Sequence, residues 1–183
     1  MDSIEMKYCM ILKNEFHLGT LIKHKLIEDG RKVEWLAKKI HCKRDNIYKI
    51  FDRASTDTDL LLRISLALKT NFFAYLSEFH QSTASRTDSI EVKYSLMLKN
   101  EFHIGKLIKH KLEEDGRRIE WFAKKIQCKR RNIYNIFNRF SIDTEQLLKI
   151  SLVLQINFFD FLSEFYRNTA NKADLTAPQT DDH

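Results

Sequence analysis

Turn-forming residues are scarce, with 4 glycines and 1 proline in 183 residues. So few leave little chemistry for hairpin turns, which makes an all-helical chain the default. Cysteine is too sparse for a disulfide framework. Cys9, Cys42 and Cys128 are an odd count without a CxxC pair, so they suggest neither paired bridges nor a zinc site, and a reducing compartment is the natural setting. The chain also lacks any apolar run near the roughly 20 residues that span a bilayer. No basic stretch followed by an apolar run opens it, so a soluble cytoplasmic protein without a membrane partner is expected.

Hydrophobic residues, in contrast, make up 43% of the chain, which suits globular folding. Charged residues make up 31%, above the usual quarter, and the surplus is basic, with a formal net charge of +6. A polyanionic partner fits that balance, because Lys and Arg that neutralise phosphates release condensed counterions. A solvated basic surface explains it equally well until a motif is found.

Length alone fits one large domain or two small ones, and an internal repeat decides for two. Laying Asp2 over Asp88 gives an ungapped match through Ala84 over Ala170, with about two thirds of positions identical. Each copy is too long for an ankyrin or tetratricopeptide unit and carries a full helical pattern, which favours two domains joined end to end. The expected boundaries are a first domain over 1–80 with its core at 15–80, a linker at 81–87, a second domain over 88–169 with its core at 101–167, and a disordered tail over 170–183.

Within the first copy, Leu18, Leu21, Ile22, Lys25 and Leu26 share one face at helical spacing, and Asp29-Gly30 marks a stop. Val33, Leu36, Ala37 and Ile40 mark a second, short helix, and Ile47, Ile50 and Phe51 a third. Leu61, Leu62, Ile64, Ser65 and Leu68 mark a fourth, and Phe72, Phe73, Leu76 and Phe79 close the domain. The opening segments, 2–14 and 88–100, alternate like strands yet also carry helical spacing. Asp2 with Glu5 and Asp88 with Glu91 resemble capping boxes, which tips them toward helix.

Trp35 to Phe51 carries the most informative spacing. Leu36, Ala37 and Ile40 end a short helix, two residues turn, and Ile47 and Ile50 anchor the next, as in a helix-turn-helix. Small Ala37 permits a close crossing, while Cys42 joins the apolar wedge. The second copy repeats these positions as Phe122, Ala123, Ile126, Cys128, Ile133 and Ile136. With the apolar face turned inward, Lys43, Arg44, Asp45, Tyr48 and Lys49 fall on the outer face of the third helix, and Arg31 and Lys32 lie just before the second. Lys129, Arg130, Arg131, Tyr134 and Asn135, with Arg117 and Arg118, are their counterparts. A basic helix N-terminus with free amides suits phosphate and the edges of bases.

The runs HLGTLIKHKL, VEWLAKKIHCKRDNIYKIF, DTDLLLRISLAL and NFFAYLSEF, with HIGKLIKHKL, IEWFAKKIQCKRRNIYNIF, SIDTEQLLKISLVL and NFFDFLSEF, resemble the XRE family, the Cro and phage-repressor type of helix-turn-helix protein, particularly its small Bacteroidetes versions. The resemblance covers most of the chain. It implies two tandem five-helix, lambda-repressor-like domains in an all-α fold, insertion of each third helix into the major groove of double-stranded DNA, and transcription regulation in a bacterial cytoplasm, in association with the nucleoid. It adds Asn46 and Asn132 of the shared CxRxNxYxIF run to the DNA-binding set. One departure stands out: the family often has glycine in the turn, where these copies have His41 and Gln127, and a left-handed residue there costs about 1 kcal/mol without glycine.

The copies differ where they would meet DNA. Asp45, Asp52, Thr20 and Lys49 become Arg131, Asn138, Lys106 and Asn135, so the second copy is expected to hold phosphate more tightly and the two to favour different half-sites. Trp35 and Trp121 are expected at the core edge rather than as stacking platforms, whereas Tyr48 and Tyr134 suit either a phosphate contact or cover for a neighbouring helix. His41-Cys42 occurs in one copy only, and His17, His24, His103 and His110 lie near no nucleophile, so neither metal, cofactor nor enzymatic activity is indicated. The aromatic clusters Phe72, Phe73, Tyr75, Phe79 and Phe158, Phe159, Phe161, Phe165 exceed what one small core needs. Their later members are candidates for a domain contact or for self-association. An interaction module that kept the fold but does not read DNA is the alternative function.

Overall fold

The computed structural model describes residues 17–83 and 103–176, and over these it is all-helical, with ten helices and no strand. The segments 2–14 and 88–100 lie outside the described residues. The first half holds α1 (Leu18–Glu28), α2 (Val33–Lys39), α3 (Arg44–Phe51), α4 (Thr58–Ala67) and α5 (Phe72–Thr83). The second repeats them as α6 (Ile104–Glu114), α7 (Ile119–Lys125), α8 (Arg130–Phe137), α9 (Thr144–Leu154) and α10 (Phe158–Thr176).

Local chemistry sets the helix ends. The His17 side chain accepts from the Thr20 amide and caps α1, and Asp57 caps α4 by accepting from Asp59. At the far end of α1, Gly30 turns left-handed at φ 64°. Its amide donates to Ile27 and that of Arg31 to Leu26, closing the helix with paired bonds that satisfy its last carbonyls. The turn after α2 is built the same way with His41 at φ 55°, the Cys42 amide donating to Ala37 at 2.9 Å. Gln127 does this at φ 56° in the second half, so the missing glycine leaves the turn intact.

The core is assembled from the expected stripes. Ile22, Leu36, Ile47, Leu61, Ile64, Phe72 and Phe73 are wholly buried, as are their counterparts Ile108, Phe122, Ile133, Leu147, Ile150, Phe158 and Phe159. Full burial of each such side chain stabilises by about 1.5–3 kcal/mol before the cost of ordering it. Helix α3 packs on α1 and α2, and α8 on α6 and α7.

The two halves meet along α4 and α5 of one and α9 and α10 of the other. The contacts are reciprocal. Asp57 pairs antiparallel with its own counterpart Asp143, the Thr58 amide donates to the Ile142 carbonyl at 3.0 Å, and the Thr144 amide to the Thr56 carbonyl at 2.9 Å. Ser55 donates to the Asp143 carboxylate and Ser141 to that of Asp57, at 2.9 and 3.0 Å. Asn71 donates to Ser163 at 2.7 Å, and Asn157 to Ser77 at 2.8 Å. Wherever two residues meet across the seam, their counterparts thus meet as well, the signature of a two-fold, isologous contact, here within one chain.

Two expected boundaries move. Helix α5 continues through Thr83 and takes in the first residues assigned to the linker, the Ser82 hydroxyl donating back to the Phe79 carbonyl at 2.7 Å. Residues 84–87 lie outside the described residues. Helix α10 continues through Thr176, beyond the expected start of a tail at 170. The α10 stem is anchored against α5, Ala170 packs on the core, and no glycine or proline intervenes before Pro178, so extension adds one hydrogen bond per residue without a new nucleus. No helix among the described residues is long and apolar enough to cross a membrane.

Candidate nucleic-acid interface

Helix α3 is held from behind at its C-terminal end. The first amides of α1 meet the carbonyls that follow α3, Leu18 donating to Ala54 at 3.2 Å and Gly19 to Arg53 at 3.0 Å. A Cβ on Gly19 would lie 2.2 Å from the Ile50 carbonyl oxygen and 2.5 Å from that of Phe51, so only glycine admits this approach. Gly105 makes the same contact with Ile136 and Phe137. The repeated His-x-Gly signals were visible in the sequence, yet nothing local there distinguishes such a glycine from one in a turn.

Turned outward are the residues expected to face DNA. Lys43, Arg44, Asp45, Asn46, Tyr48 and Lys49 are all exposed, as are Arg31 and Lys32 just before α2. So are Lys129, Arg130, Arg131, Asn132, Tyr134 and Asn135 on α8, with Arg117 and Arg118 before α7. Ile47, Ile50 and Phe51 fill the opposite face of α3, which is why the polar residues share one side.

A three-residue cluster organises the start of this face. The Arg44 Nε lies 2.9 Å from the Glu34 carboxylate, its Nη2 donates to the Tyr48 hydroxyl at 3.1 Å, and its guanidinium stacks over the Tyr48 ring at 5.4 Å. Arg130, Glu120 and Tyr134 repeat it at 3.0, 3.2 and 5.9 Å. The tyrosine hydroxyl first, then the charges around it, raise each guanidinium above its already high ordinary pKa. Glu34 and Glu120 were not among the expected site residues. Their signal was a Glu one position before each Trp, two residues into the short helix.

Helix capping divides the elements into two classes. The N-cap side chains of α1, α4, α6 and α9 accept hydrogen bonds from their own helices. Those of α2, α3, α7 and α8 are Lys32, Lys43, Arg118 and Lys129, which make no such bond. A cation cannot accept from an amide, so these ends keep donors and positive charge for an outside acceptor. Lys43, Lys49, Lys129 and Arg131 form no ion pair with the described residues.

The tryptophans sit at the core edge, half-buried, each under an arginine: Arg31 lies 3.9 Å from the Trp35 ring and Arg117 4.3 Å from that of Trp121. Tyr48 and Tyr134 are 43% and 44% exposed, with the hydroxyl on the arginine and the ring edge on Phe51 or Phe137, so one side chain serves both surface and core. Cys42 and Cys128 are half-buried free thiols, and burial pushes both pKa values up, away from reactive thiolate. Phe72, Phe73, Phe158 and Phe159 are core residues, while α5 and α10 pack on each other across the seam, so these aromatic helices meet within the chain. Among the described residues no three of His, Cys, Asp and Glu gather to hold a metal ion.

The halves differ in one concavity. Between α6 and α8 lies a cleft of about 280 Å³ lined by Lys106, Lys109, Glu113, Arg117, Tyr134 and Asn138. The first half places Thr20, Lys23, Ile27, Arg31, Tyr48 and Asp52 at these positions. In comparisons with known proteins, no family model, no curated protein and no solved structure matches this chain.

Proposed function

We propose that the chain is a sequence-specific double-stranded-DNA-binding protein, a transcriptional regulator of XRE type whose two five-helix, lambda-repressor-like domains give one polypeptide two reading heads. The observation that carries this reading is the outward face of α3 and of α8. Each displays a run of exposed basic and amide side chains, with a lysine, Lys43 or Lys129, at the N-cap instead of a self-capping residue. Phosphate contacts fix orientation, and the prearranged Arg44 and Arg130 forks, with Asn46 and Asn132, suit base edges in the major groove. An interaction module that ignored nucleic acid would have no use for two exposed faces that both keep Lys and Arg at the start of the helix, Lys43 with Arg44 and Lys129 with Arg130.

Selection of the intact protein on random-sequence duplex DNA at about 150 mM salt tests this, because non-specific phosphate attraction is suppressed there. The expected result is an enriched bipartite motif. Its loss in a variant with Lys43, Arg44, Lys129 and Arg130 all changed to Glu would tie that motif to these helices. Weak, salt-sensitive binding without enrichment would favour the protein-interaction reading instead.

A further inference from the structure

Resting on that DNA-binding reading, we infer that the chain acts as a ready-made but unequal pair. Its target is an inverted repeat with two different half-sites, the half under residues 103–176 being held chiefly through phosphates and the half under 17–83 reading bases more selectively.

The orientation follows from the seam. Asp57 meets Asp143, its own counterpart, and the bonds linking Thr58 to Ile142 and Thr144 to Thr56 are one contact written twice. Asn71 with Ser163 and Asn157 with Ser77 repeat that relation on the neighbouring helices. A translation of one half onto the other, as a direct repeat requires, would bring unlike residues together. A two-fold rotation brings like residues together and presents α3 and α8 in opposite senses along a duplex. One chain therefore does what a dimer of single heads would do.

The inequality follows from the replacements on the exposed faces. Asp45 becomes Arg131 on the outward side of the reading helix, Thr20 becomes Lys106 and Asp52 becomes Asn138 at the cleft, all toward positive charge. Lys49 to Asn135 and Ile27 to Glu113 run the other way. Glu113 is held by Lys109 at 3.7 Å and Arg117 faces Asp115 at 3.7 Å, which leaves the Lys106 ammonium, beside Tyr134, at a concavity able to receive a phosphate. Asp45 in the first half is an acceptor-only group at the reading-helix N-terminus. It repels phosphate and accepts from a cytosine amino group, trading affinity for discrimination.

The test begins with sites selected by the full chain, followed by affinity against salt for two variants whose changes are confined to exposed residues. An inverted repeat with unlike halves, occupied by one chain per duplex, is expected. Lys106→Thr combined with Arg131→Asp should weaken binding at least tenfold and reduce the slope of log affinity against log salt by about two, one for each phosphate no longer neutralised. Asp45→Asn should alter the preferred base in one half-site only. A direct repeat, identical halves, two chains per duplex, or an unchanged salt slope would overturn the inference while leaving DNA reading intact. Absence of any enriched motif would overturn the DNA reading itself.

Discussion

Two kinds of backbone position are distinguished by their substitution to or from glycine. Gly19 and Gly105 sit in helices, where alanine ordinarily gains about 1 kcal/mol. Here an added methyl would collide with backbone oxygens that have nowhere to move. Gly19→Ala is therefore expected to destabilise by roughly 2–3 kcal/mol, seen as a lower denaturant midpoint at unchanged slope. His41 is the reverse case. Exposed and left-handed at φ 55°, it should yield about 0.5 kcal/mol of stability when changed to glycine, the relief of strain outweighing the entropy of a looser unfolded chain. A neutral or destabilising His41→Gly would mean that the imidazole contributes something at the turn that geometry does not explain.

At the level of elements, the short helix α2 and α3 are joined by the Glu34–Arg44 bridge, and α7 and α8 by Glu120–Arg130. Both partners are more than half exposed in each case, so the bridges contribute little to stability. Under the proposed DNA binding, their effect is on the aim of the arginines. Removing Glu34 and Glu120 as glutamines should shift the unfolding free energy by less than about 0.5 kcal/mol. It should tighten binding to non-specific duplex, because two negative charges leave the face, and reduce the ratio of specific to non-specific affinity, because the arginine forks lose their anchor. An increase in both affinities with the ratio preserved would show that the carboxylates only screen charge.

For the whole molecule, the seam between halves is polar at its centre. The Thr58 hydroxyl accepts from the Ile142 amide and the Thr144 hydroxyl from the Thr56 amide, each at 3.1 Å in buried surroundings. Replacing both threonines with valine strands two buried donors and should cost about 2–5 kcal/mol, measurable by chemical denaturation. The seam also carries a pH dependence. His80 is fully buried against the second half, where desolvation lowers its pKa, opposed by the Ser151 backbone and the charge of Asp160. The folded state therefore favours the neutral ring. Stability is full above the unfolded pKa near 6.5 and falls as pH drops below it, because the unfolded chain then binds the proton more readily. Tyr166 occupies the equivalent place in the second half, so a His80→Tyr variant should lose this part of the acid sensitivity in melts at pH 5 and pH 7. An identical pH response in that variant would place the sensitivity elsewhere.

Much of this was legible in the chain itself. The ungapped repeat, the stripes that became α1 to α5, the outward basic face of α3 and the wedge position of Cys42 all depend on neighbours within a helical turn or two. Periodicity and capping chemistry record such neighbours directly. Even the awkward His41 turn was readable, because left-handed backbone is a local demand. Other features depend on what lies across a packed surface, and no window of sequence holds that information. Gly19 is required by the carbonyl of Ile50, and Glu34 matters because the turn brings it to Arg44. The α5 and α10 stems lie on each other, and each helix runs on from its stem into residues where composition alone suggested linker and tail. The relation between the halves is the clearest instance. A polar connection between two copies is compatible with direct or inverted arrangement, and only the reciprocal seam around Asp57 and Asp143 chose the two-fold, since that choice rests on backbone and side-chain bonds between residues far apart in the chain, each repeated by the counterparts of the residues that make it.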